Sequence, residues 1–522
     1  MAKVVVAVVP GADARLAAAF EVLAESPDGV ARMRDLVLSL AVRGELSSDV
    51  AGAPASTTRG ECEFEPASDA GSDAARLPFS VPPSWRIRRL GDLLDLFNGH
   101  AFKPSDWKPK GLPIVRIQNL NNPQALFNFC DAPFPARCAV KDGDLLISWS
   151  GTPGTSFGAF IWRRGAAVLN QHIFRAELKD PSLDVEFMRL CVNARLDEMI
   201  SRAHGAVGLR HITKGNLESM AMPVPPPAEQ RRIVARVDEL MGWIDQFEAA
   251  RNQREAARLA ARDACLATLC AATNPTEVAA AWSLLATRFD ALFTTTADIG
   301  LLRRAILQLA MGRRLVPRDG GPGSSRGGNL GDHVSFLNGY AFKTEWYRKT
   351  EGVRLVRNTN VSHGTLVWDE EARLAPDMVC AFERFELFEG DIVLSLDRPL
   401  ISTGLKLARI QRVDLPALLL QRVACLRPLA DSIDPDFLYL WMQSPPFTDA
   451  IDPGRSNGVP HIATKELARI PIDCPSREEQ LRIIARVRHL MAACDSLGAS
   501  LMEGYAIAAA ASVAMVSCEG GA

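Results

Sequence analysis

Excess charge of either sign is missing from this chain. Its 59 Lys and Arg stand against 61 Asp and Glu, a formal net charge of −2. That balance excludes wholesale attraction to a polyanion and leaves only a local basic face able to meet one. Long apolar runs are missing too. The stretch Val4 to Val9 ends at Pro10-Gly11, too short for a signal-peptide core, and no later run approaches the roughly 18 residues of a membrane span. A cytoplasmic protein without a membrane partner is expected. The eleven cysteines include no CxxC pair and no metal-ligand spacing. Their odd number suits free thiols in a reducing compartment, and no metal site is assigned.

Catalytic signatures are equally scarce. There is no GxxxxGK[ST] of a motor, no glycine-rich cofactor loop after a strand, and no polar-Pro-Pro-aromatic methylation motif. Ser444-Pro445-Pro446-Phe447 comes nearest to the last, but serine cannot present an amide or carboxylate to an adenine amine. Beside a helix expected near 435–443, Pro-Pro is helix termination. Glu177-Leu178-Lys179 mimics half of a nuclease site with Asp144 upstream, but its counterpart later in the chain is Arg427-Pro428-Leu429. It reads as surface charge. No catalytic residue is assigned, and the chain is expected not to be an enzyme.

What the 522 residues do contain is an internal repeat. Leu90 to Lys103 (LGDLLDLFNGHAFK) matches Leu330 to Lys343 (LGDHVSFLNGYAFK) with eight identities in fourteen, at an offset of 240. Gly208 to Val237 matches Gly458 to Val487 with twelve in thirty, at an offset of 250. Between these anchors Gly143 to Ser148 pairs with Gly390 to Ser395, and Gln171 with Gln421. Self-similarity on this scale decides the architecture before any local reading does. The halves share a frame and differ between Pro104 and Asp142 and between Gly151 and Leu169, as two readers of different targets would. Asp13 to Leu46 also resembles Trp282 to Leu315. The second repeat has no such segment after it, so residues 1–50 are expected to complete it in a circularly permuted repeat of approximate two-fold symmetry.

After Pro223-Val224-Pro225-Pro226-Pro227, the stretch from Ala228 to Thr273 contains no proline. It predicts one helix of about 45 residues, roughly 65 Å at 1.5 Å per residue. Ile233, Val237, Leu240, Ile244 and Phe247 step by 4 and 3 along it, and Ile483, Val487, Leu490, Cys494, Leu497 and Leu501 keep the rhythm in the second copy. Such a stripe either covers the helix's own domain or forms a seam with another helix; its recurrence favours an antiparallel pair acting as a spacer between two domains. Shorter helices are expected near 14–25, 30–42, 282–293 and 299–311. The resulting fold class is α+β: two mixed α/β domains at 83–227 and 329–476, a central helical region at 228–318 and a C-terminal helix from 477. Linkers lie at 51–82 and 319–328, the latter DGGPGSSRGG.

The LGD opening, NGxAFK turn, GD-hydrophobic-Ser strand, G-x-x-H-I turn and Pro-rich exit into E-Q-x-R-I together resemble the target-recognition domain of type I restriction-modification specificity subunits. Ala305 to Asp319 (AILQLAMGRRLVPRD) resembles that family's central region. The resemblance covers about 14–501, and it is the order of the motifs, twice over, that is specific. It implies two recognition domains, each reading one half of a split asymmetric double-stranded DNA site across a spacer set by the helices. It also implies two methylation subunits docked on the helices, and motor-nuclease subunits completing the complex. The chain itself would bind no cofactor; the methylation subunits would use S-adenosylmethionine, the motor subunits ATP and Mg. The alternative is an assembly scaffold with degenerate DNA binding. The first domain holds 18 Lys and Arg against 13 acids, the second 16 against 20, and the acidic second domain speaks for that alternative.

Base reading needs fixed donor and acceptor geometry, chiefly Arg for guanine and Asn or Gln for adenine. Arg116, Gln118, Asn119 and Asn121, with their counterparts Arg357, Asn358 and Asn360, are the first candidates; turn chemistry by asparagine is the competing account. Thr152 and Thr155 of a glycine-rich loop, and Arg398, Ser402, Thr403 and Lys406 after the equivalent strand, suit phosphate. Gln171, Arg210, His211, Lys214, His461 and Lys465 complete the set, the histidines as backbone contacts or as ordinary structural residues. The helix residues Ile233, Val237, Leu240, Ile244, Ile483, Val487, Leu490 and Leu497 are assigned to an interface.

Overall fold

The computed structural model describes residues 14–46, 77–319 and 326–519, apart from 25, 27, 123, 132–133, 152–156, 202–209, 403, 430–431 and 452–460. The chain forms two compact units, the first of Met1–Asn252 with Ala508–Ala522 and the second of Gln253–Ile507.

The first unit begins with helices α1 (Ala14–Ala24) and α2 (Gly29–Arg43) and then builds a strand-rich domain. Its strands are β1 (Arg86–Arg89), β2 (Leu94–Asn98), β3 (Leu112–Val115), β4 (Asn128–Cys130), β5 (Ala139–Val140) and β6 (Leu145–Ser148), then β7 (Ser150–Gly151), β8 (Gly158–Ile161), β9 (Ala167–Leu169) and β10 (Ile173–Leu178). Helix α3 (Val185–Ala194), β11 (Arg210–His211) and β12 (Ala221–Val224) lead into the long helix α4 (Pro227–Ala271). An antiparallel sheet in the order β2-β10-β6-β8 stands beside a sheet β4-β3-β9-β5 whose central pair is parallel.

Strand β6 is apolar on both faces for a reason visible in its packing. Leu145 and Ile147 belong to a core shared with the helices, whereas Leu146 belongs to a second core with Val115 and Leu169 of the other sheet. Side chains alternate across a strand, so a central strand covered on both sides must be hydrophobic throughout. Each such fully buried side chain contributes roughly 1.5–3 kcal/mol.

The second unit repeats this plan. After α5 (Pro275–Ala286) and α6 (Thr296–Met311) come β13 (Arg326–Asn329), β14 (Val334–Asn338), β15 (Val353–Val356), β16 (Arg373–Leu374), β17 (Ile392–Ser395) and β18 (Leu400–Ile401). There follow β19 (Gly404–Leu405), β20 (Leu407–Arg409), β21 (Ala417–Leu419), β22 (Val423–Pro428), α7 (Pro435–Met442), β23 (Pro471–Cys474) and the long helix α8 (Arg477–Glu519). The sheet β14-β22-β17-β20 has the strand order of its counterpart, and β15 again pairs in parallel, here with β21. In β17, Ile392 and Leu394 face the helical core and Val393 faces the other.

The sequence motifs have structural reasons. In NGxAFK, a Cβ on Gly99 would lie 2.1 Å from the Asn170 carbonyl oxygen and one on Gly339 2.0 Å from that of Leu420, so only glycine permits these approaches. The E-Q pair ties each long helix to its domain. The Gln230 amide donates to the Pro225 carbonyl at 2.9 Å and accepts from the Asp184 N–H at 2.7 Å; Gln480 does the same with Pro475 and Asp434, at 2.9 and 2.7 Å. Asp184 and Asp434 are themselves the N-caps of α3 and α7, where a carboxylate satisfies the otherwise orphaned first N–H groups.

Two helix expectations are corrected by packing. The N-terminal helices, expected to complete the second repeat, are buried in the first unit: Phe20 of α1 stacks on Trp243 of α4 with centroids 5.5 Å apart, and Arg34 of α2 pairs with Asp245 at 2.7 Å. The interface stripe is also internal. Ile233, Val237, Leu240 and Ile244 are at most 1% exposed and sit in the core with Phe20, Met33 and Val37. In the second unit Ile483 and Val487 are buried, with Leu490 packed against them, in one core with Leu266 and Leu269 of α4; Leu497 is 37% exposed. No described helix is long and apolar enough to cross a membrane.

Candidate nucleic-acid interface

The turn after β3, ranked first as a reader of bases, is a structural turn. Asn119 is 2% exposed; its carbonyl oxygen accepts from the Arg116 N–H at 3.1 Å and its amide donates to the carbonyls of Ala125 and Leu126 at 3.1 and 3.2 Å. Asn360 repeats this with the Arg357 N–H at 3.1 Å and the carbonyls of Val367 and Glu370 at 2.9 and 3.2 Å. A buried amide with its donors and acceptor engaged has nothing left for a base, so both assignments are corrected. Arg116 and Arg357 lean back on the same turns, Arg116 toward the Leu126 carbonyl and Arg357 toward that of Glu370. Gln118 and Asn121 are exposed, while Asn358 is half-buried and accepts from Lys406.

A second locus is assembled from three distant stretches of each repeat. In the second unit they are the residues after β17, those before β22, and the turn at His461. Asp397 and His461 form a β-bridge. The Asp397 carboxylate lies 2.6 Å from His461 Nδ1 through one oxygen and 2.8 Å from the Arg422 guanidinium through the other. Only 9% of the Asp397 side chain is exposed, against 64% for Arg422 and 56% for His461. Arg398 and Arg422 both adopt positive φ, 46° and 68°. For residues other than glycine this costs about 1–2 kcal/mol, and such strain concentrates at functional sites. Gln421, immediately before Arg422, is exposed.

The first unit presents other side chains in the same frame. Ser150 pairs with His211 and Gly151 with Arg210 across β7 and β11. Gln171 Nε2 lies 3.2 Å from His172 Nε2, and the Trp149 ring lies 5.6 Å from His172 and stacks on Phe174 at 5.5 Å. Ser150, His172 and His211 correspond to Asp397, Arg422 and His461.

The remaining candidates are dispersed. Lys214 opens a short helix and donates to the Leu96 carbonyl at 2.9 Å; Lys465 and Ser402 are exposed. Lys406 donates to the Asn358 carbonyl, and burial pulls its ammonium below the usual range while Asp397 acts in the opposite sense. Thr152, Thr155 and Thr403 lie outside the described residues.

Sequence reasoning missed a basic rim. Lys103, Lys108 and Lys110 are exposed around Trp107, itself 44% exposed. Lys343, Arg348 and Lys349 are their exposed counterparts, with the Lys343 ammonium 5.4 Å from the Trp346 ring centroid. The signal was the lysine that closes each NGxAFK motif. Part of the acidity of the second domain is offset by arginines of the long helix that follows it, Asp434 by Arg477 at 2.8 Å and Asp436 by Arg488 at 2.5 Å, and Asp391 pairs within the domain with Arg427 at 2.6 Å. Among the described residues no group of His, Cys, Asp or Glu is arranged to hold a metal ion.

A twice-built α/β domain on helices, with unlike donors at one repeated position, His172 half-buried and Arg422 exposed, defines a two-domain recognition protein. The type I restriction modification DNA specificity domain matches residues 82–254. The specificity subunit of the Escherichia coli type I restriction enzyme EcoAI is 30% identical over 90% of both chains. That of EcoBI, also from Escherichia coli, is 23% identical over 80% of this chain and 81% of its own. A chain solved for the complex assembly and conformational transition of a type I R-M system shares the fold, with a TM-score of 0.53 at 17% identity over 84% of this chain and 98% of that one. This chain belongs to the type I restriction enzyme specificity subunits, the DNA-recognition component of these systems and not the catalytic one.

Proposed function

We propose that the chain binds a split, asymmetric double-stranded DNA site, one half through each recognition domain, and scaffolds two methylation subunits and the motor-nuclease subunits of its system. It supplies recognition and no cofactor; S-adenosylmethionine, ATP and Mg belong to the partners. The carrying observation is that one frame offers His172 with Gln171 in one unit and Arg422 with Gln421 in the other. Identical frames with unlike donors suit two unlike half-sites. The basic rims supply phosphate contacts that fix register without reading sequence.

Methylome sequencing of cells carrying this chain with its methylation subunit tests the reading. Adenine methylation at a two-part motif is expected. A folded, assembled complex that methylates no motif would leave the second reading, a scaffold with degenerate DNA binding, for which the acidic balance of the second domain speaks.

A further inference from the structure

We infer that Arg422 is the guanine-reading residue of the second recognition domain, that Asp397 is its positioning residue, and that His172 holds the equivalent reading position in the first. The inference rests on the recognition function proposed above.

The physical case starts from what an arginine needs to read guanine. Its guanidinium must reach solvent, yet be held in one orientation so that two N–H groups meet O6 and N7 together. An unrestrained arginine samples many rotamers and loses that entropy on binding. Arg422 meets both demands. Its side chain is 64% exposed, and among the described residues Asp397 is its one polar side-chain partner, held through Nη1. Nε and Nη2 remain for a ligand. The orientation is fixed further by the backbone: φ is 68°, and the Arg422 carbonyl accepts from the Leu396 N–H at 2.9 Å.

The anchor is fixed as firmly. The Asp397 side chain is 9% exposed, its main chain bridges His461, and its second oxygen engages the His461 ring. A carboxylate that turned outward would repel DNA; this one faces the Arg422 guanidinium and the His461 ring and is shielded by them. The unit therefore presents exposed Arg422, Arg398 and His461 around one shielded carboxylate although the domain as a whole is acidic. The preceding Gln421, exposed and side by side with Arg422, adds a donor-acceptor pair of the kind adenine takes.

The comparison between repeats gives the position its meaning. A residue needed only by the frame keeps its identity or type, as Gln230 and Gln480 do. Here Ser150, His172 and His211 stand where Asp397, Arg422 and His461 stand, so the frame tolerates the exchange of a hydroxyl for a carboxylate and an imidazole for a guanidinium. Variation at a fixed site, exposed at Arg422 and half-buried at His172, next to the unvarying Gln171 and Gln421 is what separates two specificities.

The experiment compares motifs methylated in cells by complexes carrying the wild-type chain, Arg422→Ala, Arg422→Lys, Asp397→Asn and the Asp397→Asn/Arg422→Lys double variant, with assembly checked by co-purification. A wild-type complex that yields a two-part motif keeps the recognition reading standing whatever the variants do. Arg422→Lys keeps the charge and loses the planar fork. Discrimination at one guanine of one half-site is expected to fall roughly ten- to a hundredfold, with the other half-site intact. Asp397→Asn is expected to relax the same base, and the double variant to be no worse than Arg422→Lys. An unchanged motif in Arg422→Lys overturns the inference. So does an even loss of affinity across all DNA sequences in Arg422→Ala, which marks a phosphate contact. If Arg422→Ala fails to assemble, Arg422→Lys decides alone.

Discussion

At the scale of single residues, the difference between reading DNA and holding the fold is a difference in free donors. Asn119 and Asn360 carry the right chemistry for adenine but use it on their own turns. Arg422 keeps donors unspent and solvent-facing. A buried charge shows the opposite extreme. Burial pushes the Asp298 carboxyl up, but hydrogen bonds from Arg262, Thr295 and Arg258 outweigh it and bring its pKa to about 2. A folded-state pKa below the unfolded value means stability that is present above about pH 4 and lost as pH falls towards 2, about 2 kcal/mol for this group. Thermal melts of the wild type and Asp298→Asn should therefore converge across that range. A stability gap that stays constant from pH 4 to 2 would count against the assignment.

At the scale of elements, each long helix is anchored by one amide and decorated by ion pairs, and the two contribute unequally. Gln480 satisfies the Asp434 N–H and the Pro475 carbonyl, all of them buried. Gln480→Ala leaves both unpaired and should cost about 2–3 kcal/mol, lowering Tm by roughly 5–10 °C in a unit of this size. The Arg303–Asp495 pair, at 2.5 Å but with side chains 37% and 68% exposed, is the repeat counterpart of Arg34–Asp245. Arg303→Ala should cost less than about 1 kcal/mol. Calorimetry of both variants checks the ranking, and an equal loss in the two would reverse it.

At the scale of the whole molecule, the chain passes from one unit to the next inside α4, at residues that are exposed from Asn252 to Ala257. Seven inserted helical residues there add about 10 Å at 1.5 Å per residue. The recognition reading then expects a changed unread spacer, with both half-sites unchanged. Methylome sequencing of the insertion variant reports this directly; altered half-sites with an unaltered spacer would contradict it.

The sequence by itself determined the repeat, the two mixed domains, the starts of the long helices to within one residue, and the family. These follow from periodicity, proline and glycine punctuation and the order of motifs, all local signals that survive in one dimension. It also marked Gln171 and Gln421 as a repeated feature. Only the tertiary structure decided what the helical stripe covers, because a 4-3 pattern states that a face is buried and not what buries it. Only it showed that Asn119 and Asn360 are spent on their own turns, because a residue's identity does not state its burial. And only it joined Asp397, Arg422 and His461, which lie up to 64 positions apart in the chain and meet because β17 and β22 are neighbours in one sheet and the turn at His461 bridges to its end.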